Sequence, residues 1–142
     1  MRKAAGRLGI IAAVALILAG MGCTTMVEPP SDAELIGSTM NTWLDGMKRK
    51  DVDDMLAVMS DDFTSDMNRS KAEFKSNMER FIAEGNLNNI TLDATKAAIS
   101  LQAETATYTP VTIVTNQGSA TMHFSLKRIG ANWLISGLTL DY

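Results

Sequence analysis

Apolar residues return at two different periods along this chain, and the change of period divides it. Between residues 31 and 85 they recur every three or four positions, as Ile36, Met40, Trp43, Leu44 and Met47 do, which turns one stripe of a helix towards a core. Ser31-Asp32-Ala33-Glu34 opens this helix as a capping box, and the stripe runs to about Lys50. Asp51 is placed to cap a second helix, with Val52, Met55, Leu56 and Met59 as its apolar positions and an end near Ser60. Asp61-Asp62-Phe63-Thr64 then leaves the helix, with Phe63 as the apolar anchor. Ser70 and Glu73 start a third helix that shows Phe74, Met78, Phe81 and Ile82 on one face and stops at Gly85. On this reading three helices precede every clear strand.

From Ile90 the texture changes to Thr, Val, Ile and Tyr, with turns at Gln102-Ala103-Glu104, Asn116-Gln117-Gly118 and Gly130-Ala131-Asn132. Four strands fit: 90–101 with a break near 94–96, 105–115, 119–128 and 132–141. Connections this short predict an antiparallel meander. In the third strand Ala120, Met122, Phe124 and Leu126 alternate with Thr121, His123, Ser125 and Lys127, so one face is buried and the other wet. Helices gathered on one side of such a sheet make an α+β domain.

The first residues obey neither period. Arg2, Lys3 and Arg7 precede an uncharged apolar run over 8–22, the pattern of a bacterial export signal. The run is shorter than the roughly 20 residues a membrane-spanning helix needs. It ends at Cys23, the only cysteine, which follows the small residue Gly22 and cannot form an internal disulfide. This arrangement resembles the lipobox of bacterial lipoproteins, whose thiol is diacylglycerylated and whose signal is cut just before it. Gly20 and Met21 stand where that family usually has Leu and then Ala or Ser, a departure that bears on the efficiency of cleavage. The resemblance implies a signal peptide over 1–22, a lipidated tether over 23–30 that includes Pro29-Pro30, and a domain over 31–142. It also implies a bacterial cell envelope protein held to the membrane through its lipid anchor. Thr24 after the cysteine implies the periplasmic face of the outer membrane in a Gram-negative host.

Composition narrows the partners. With 46% hydrophobic and 20% charged residues, collagen-like, coiled-coil and wholly disordered readings are excluded. Without residues 1–22 the chain keeps ten Lys/Arg against sixteen Asp/Glu, and its formal charge falls from −3 to −6. That balance disfavours nucleic acid, whose binding needs Lys and Arg to replace phosphate counterions.

The order of elements carries a second resemblance. A first helix with a Trp, a Lys-Asp-Val-Asp-Asp-Met-Leu junction into a short helix ending Ser60-Asp61-Asp62-Phe63, a third helix, and a meander closing on Asn132-Trp133-Leu134-Ile135 resemble the nuclear transport factor 2-like superfamily, in particular its SnoaL-like branch. The resemblance implies a cone-like, cystatin-like architecture, with the N-terminal helices packed in the concave face of a curved antiparallel sheet around an apolar pocket. Trp43, Phe63, Tyr108, Met122, Phe124 and Trp133 are the candidate pocket-lining residues.

Enzymes of that superfamily use a few pocket Asp, His and Tyr groups as general acids and bases, and no such set is legible here. The only histidine, His123, has the parity of the wet face, opposite Met122 and Phe124. Asp61, Asp62 and Asp66 read as a solvated acidic cluster, and Asp93 and Asp141 as surface positions. One His and one acylated Cys cannot build a zinc site, so neither a metal, a cofactor nor a catalytic residue is assigned. Methionine is frequent, ten in all, and Met40, Met47, Met55, Met59, Met78 and Met122 fall on core faces, where flexible thioethers suit an adaptable apolar interior. The sequence therefore predicts a lipoprotein whose domain holds a small apolar ligand or docks an envelope partner, compatible with a homodimer. The alternative is a small isomerase, dehydratase or cyclase with an Asp or Tyr acid–base group.

Overall fold

The computed structural model describes residues 28–142. Helix α1 (Asp32–Arg49) starts at its capping box: the Glu34 N–H donates to the Ser31 hydroxyl at 3.2 Å, and the Ser31 N–H donates to the Glu34 carboxylate at 2.7 Å. It ends at Lys50, whose φ of 59° is left-handed. Helix α2 (Val52–Ala57) is capped by Asp51, which accepts from the Asp54 N–H at 3.1 Å. Helix α3 (Lys71–Ala83) has only half of the expected box. The Glu73 N–H donates to the Ser70 hydroxyl, but the Glu73 carboxylate takes the N–H of Arg69 instead of that of Ser70. Gly85, at φ +77°, closes α3: its N–H reaches Ile82 and the Asn86 N–H reaches Phe81, which satisfies the last carbonyls.

The strands are β1 (Met59–Ser65), β2 (Thr91–Asp93), β3 (Ala98–Gln102), β4 (Thr105–Thr115), β5 (Gly118–Ile129) and β6 (Asn132–Asp141). They form one curved sheet of six strands in the order β1-β6-β5-β4-β2, with β3 also paired to β4. Two expectations are corrected here. The segment expected to finish the second helix and then leave it is strand β1, so a strand precedes α3. The sheet is also not a purely antiparallel meander of four strands, because β1 lies parallel to β6. Both errors have one cause. Met59 and Phe63 continue the three-and-four spacing of α2, an irregular register between Met59 and Thr64 removes the alternation a strand usually shows, and the partner strand lies far along the chain. The break near 94–96 is present: Asp93 accepts from the Thr95 N–H at 2.9 Å, and the turn separates β2 from β3.

Register shifts bend the sheet. One lies in β4 between Tyr108 and Val111, where the Thr109-Pro110 peptide is cis, and another lies between β5 and β6 after Ser125. The concave face then wraps α1, burying Val111, Met122, Phe124, Leu126, Trp133 and Ile135 against Ile36, Met40 and Trp43. Trp133 ties the start of α1 to β6: its Nε1–H donates to Asp32 at 2.9 Å, and its carbonyl accepts from the Thr39 hydroxyl at 2.7 Å. The core residues run from Ile36 to Leu138, so the segment from Ser31 contains a core of its own.

Candidate functional site

Where α1, α3 and the far ends of β4, β5 and β6 meet, the cone forms a cavity of about 280 Å³ that is partly open to solvent, with the exposed Met67 and Tyr142 in its lining. Helical spacing builds half of its wall, with Trp43 and Met47 from α1 and Phe74, Met78 and Phe81 from α3. Strand alternation builds the rest: Ile113 from β4, Ala120 and Met122 from β5, Leu138 and Leu140 from β6. Four thioethers, those of Met47, Met67, Met78 and Met122, line it, which makes the wall apolar and deformable.

The polar part of the wall is uncharged. Ser65 ends β1 and Asn68 lies in the turn after it, where the Ser65 hydroxyl accepts from the backbone N–H of Asn68 at 2.9 Å and from its Nδ2 at 3.1 Å. Asn77 on α3 donates to Asn68, and Gln117 in the β4–β5 turn donates to Asn86 after α3 at 2.9 Å. Two pairs of carboxamides thus bridge neighbouring elements around the cavity. Charged side chains touch these amides from outside: Arg80 donates to Asn77 at 3.3 Å and Glu84 accepts from Asn86 at 3.0 Å. Among the described residues no Asp, Glu, Lys, Arg or His lies on the wall itself.

One buried atom of the core lacks a partner. Trp43 Nε1 is buried with no hydrogen-bond acceptor, a situation that costs on the order of 1–3 kcal/mol. The indole stands edge-on to Phe124, with ring centroids 4.9 Å apart at 73°, and Phe63 meets Phe74 similarly at 5.5 Å.

Of the residues proposed from sequence to line a pocket, Trp43 and Met122 are on this wall. Phe63, Phe124 and Trp133 are fully buried in the core beneath it, and Tyr108 lines a different, open groove. Cys23 and the signal segment lie outside the described residues. The carboxamides of Asn68, Asn77, Asn86 and Gln117 had no signal in the sequence, because a neutral amide carries no chemical signature and each sits in or beside a turn or polar helix face. Met47 and Met78 were legible as core positions but not as cavity wall.

The open groove runs beside α1, lined by Tyr108 with Asp45, Lys48, Arg49, Asp54 and Asp93. Burial pushes the Tyr108 phenol above its ordinary pKa, while the Thr95 hydroxyl and N–H hold the Asp93 carboxyl below the usual range. Arg49 is bound by Asp45 at 2.7 Å, Asp54 at 2.5 Å and Asp51 at 3.3 Å, and hydrogen bonds first to Asp54 and then to Asp45 hold its proton more firmly than usual.

His123 projects from the outer face of the sheet, as its parity requires. There its Nδ1 meets the Thr109 hydroxyl and its Nε2 lies 2.9 Å from Asp141. Asp61 and Asp62 are on β1, where Asp62 pairs with Lys127 and Asp61 lies 3.7 Å from Lys71; Asp66 accepts from the Leu140 N–H at 3.1 Å. Among the described residues no group of three or more His, Cys, Asp or Glu could hold a metal, and no helix is long and apolar enough to cross a membrane.

No family model matches the chain, and no curated protein matches it in sequence. Solved structures do share its fold. A protein of unknown function with a cystatin-like fold from Nostoc punctiforme superposes with a TM-score of 0.63 at 16% identity, over 78% of this chain and 91% of that one. A proposed dehydratase of the nuclear transport factor 2-like family from Streptomyces avermitilis gives 0.63 at 12%, over 77% and 94%. A proposed scytalone dehydratase from Novosphingobium aromaticivorans gives 0.62 at 10%, over 77% and 82%. The architecture, helices packed against a curved sheet of six strands, is thus a cystatin-like, nuclear transport factor 2-like fold.

Proposed function

We propose that this protein is a lipid-anchored envelope protein whose cone binds one small, largely apolar molecule without transforming it. The observation that carries the reading is the wall of the 280 Å³ cavity, which joins thioethers and aromatic rings to neutral carboxamides and to the Tyr142 phenol, itself donating to the Met67 sulfur at 3.6 Å, and, among the described residues, to no Asp, Glu or His side chain. Pockets that hold small molecules are lined in this way, mostly apolar with a few fixed polar groups. Proton transfer needs a titratable group within about 3 Å of the substrate and with a pKa near the working pH. The anchoring part of the proposal rests on Arg2, Lys3 and Arg7, the apolar run and Cys23.

The domain from Ser31, which holds its own core, should take up the neutral dye N-phenyl-1-naphthylamine at about one per chain. Ala120→Trp, which places an indole in the cavity from β5, should abolish uptake while circular dichroism stays unchanged. A well-folded wild type that takes up no dye would contradict the reading.

A dehydratase, isomerase or cyclase is the second reading, and the groove beside α1 is where it would act, since Tyr108 and carboxylates share its lining. The electrostatics run against it. An acid–base carboxylate should be shifted up towards neutrality, yet Asp93 is shifted down and Asp45 and Asp54 are tied to Arg49.

A further inference from the structure

The edge of a sheet invites pairing with another chain unless charge, proline, irregularity or extreme shortness blunts it. Strand β1 closes one side of the sheet and carries Asp61 and Asp62 on an irregular ladder, and β2 is three residues long and ends at Asp93. Strand β3 has none of these devices. It reads Ala98-Ile99-Ser100-Leu101-Gln102, keeps an unbroken register along β4 and, among the described residues, pairs with no other strand. Every residue of it but Ile99 is exposed, Leu101 to 45%. The β3–β4 hairpin turns through Ala103 and Glu104, with Ala103 at φ 49° and Gln102 paired to Thr105. A two-residue turn makes that closing pair hydrogen-bonded, so the ladder aims the N–H and C=O groups of Ala98, Ser100 and Gln102 at β4 and those of Ile99 and Leu101 at the open edge.

Independently of the ligand-binding reading, we propose that β3 is the docking edge for a second copy of this chain, the two β3 strands running antiparallel about a two-fold axis at Ser100. Ile99 then stands opposite Leu101 of the second copy and exchanges both outward hydrogen bonds with it. The axis repeats the pair, so all four open groups of each strand find partners. Ile99 and Leu101 share the face of Tyr108 and the buried Ala106 on β4, and the pairing covers the exposed Leu101. Charge follows the same symmetry. Lys96 lies four residues before Ser100 and Glu104 four after it, so each end of the pair sets one copy's Lys96 beside the other's Glu104. Among the described residues neither of them forms a salt bridge within its own chain. A slide of one strand by two residues, the smallest that keeps the outward groups matched, sets Lys96 opposite the neutral Gln102 or Ala106 instead. Two strands of this length bury less than roughly 1,000 Å², so the pair is weak in solution, and the proposed membrane anchor would favour it by raising the effective concentration.

The test uses the domain from Ser31, which holds its own core and excludes Cys23, the only native thiol. Ser100 faces its symmetry mate in a non-hydrogen-bonded pair, where Cα atoms stand about 4.5 Å apart, within disulfide range. Under mild oxidation Ser100→Cys should form a disulfide dimer at least about tenfold faster than Ala98→Cys or Gln102→Cys, whose own mates lie roughly 13 Å away along the strand. Sedimentation over a concentration series should show the wild type passing from monomer towards dimer. Lys96→Glu or Glu104→Lys alone should weaken the pair about tenfold by setting like charges together at both ends, and the two substitutions together should restore it. Leu101→Lys should abolish association while circular dichroism stays unchanged. All the substituted positions are exposed, so the variants keep the fold. A wild type that stays monomeric throughout, equal oxidation rates for the three cysteine variants, or a dimer that survives Leu101→Lys and both charge reversals overturns the inference. None of these outcomes bears on dye uptake by the cavity.

Discussion

The two tryptophans of this chain use one indole N–H in opposite ways. Trp133 spends its donor on Asp32 and its carbonyl on Thr39, so it fastens the first turns of α1 to β6. Trp43 keeps its donor unpaired within the core. Trp133→Ala should therefore cost about 3–5 kcal/mol, a large part of a typical total of roughly 5–15 kcal/mol, read as a fall in the urea midpoint. A charged pair makes a smaller and pH-dependent contribution. Lys127 first, and then Ser60, hold the Asp62 carboxyl below its ordinary pKa, so the unfolded chain binds the proton more readily than the folded one. The stabilisation is complete above the unfolded value of about 3.9 and is lost as pH falls through the lower folded value. Asp62 is largely exposed, which keeps the effect small. Asp62→Asn should flatten, without abolishing, the dependence of the urea midpoint on pH below about 4, because Asp93 titrates in the same direction.

At the scale of elements, the contact between α1 and α2 depends on one missing side chain. A Cβ on Gly46 would stand 2.9 Å from Met55 Cγ and 3.2 Å from the Asp51 carbonyl, whereas one on Gly37 of the same helix would meet nothing within 4 Å. Gly46→Ala should destabilise by about 1–3 kcal/mol, and Gly37→Ala should be neutral or stabilise by up to about 1 kcal/mol, both read as thermal midpoints. The elements whose signals are local were legible in sequence. Ser31 and Glu34, Asp51 and Gly85 marked helix ends, and the alternation around Met122 and Phe124 marked the buried face of β5. Strand β1 was not legible, because only β6 makes it a strand and its Met59 and Phe63 imitate a helix. The site was half legible for the same reason. Apolar periodicity picks out Trp43 and Met122, but which core residues border a void and which lie beneath it depends on the curvature of the sheet.

For the whole molecule, the fold by itself carries no function. A de novo designed protein with a curved β-sheet superposes on this chain with a TM-score of 0.55 at 12% identity, over 75% of this chain and 99% of that one. The proposed function therefore rests on the cavity wall and the first 23 residues. The proposed lipid anchor predicts that wild-type cells grown with radiolabelled palmitate label the protein and that Cys23→Ser leaves an unlabelled, uncleaved precursor; equal labelling of both would contradict it. The central claim, one apolar molecule in one cavity, is tested most directly by the methionine methyl resonances of the domain from Ser31 during titration with N-phenyl-1-naphthylamine. Met47, Met78 and Met122 border the cavity, whereas Met40, Met55 and Met59 are buried in the core without bordering it. The first group should shift and saturate at about one dye per chain while the second stays in place. Methyl shifts spread evenly over both groups, or none at saturating dye, would contradict the account.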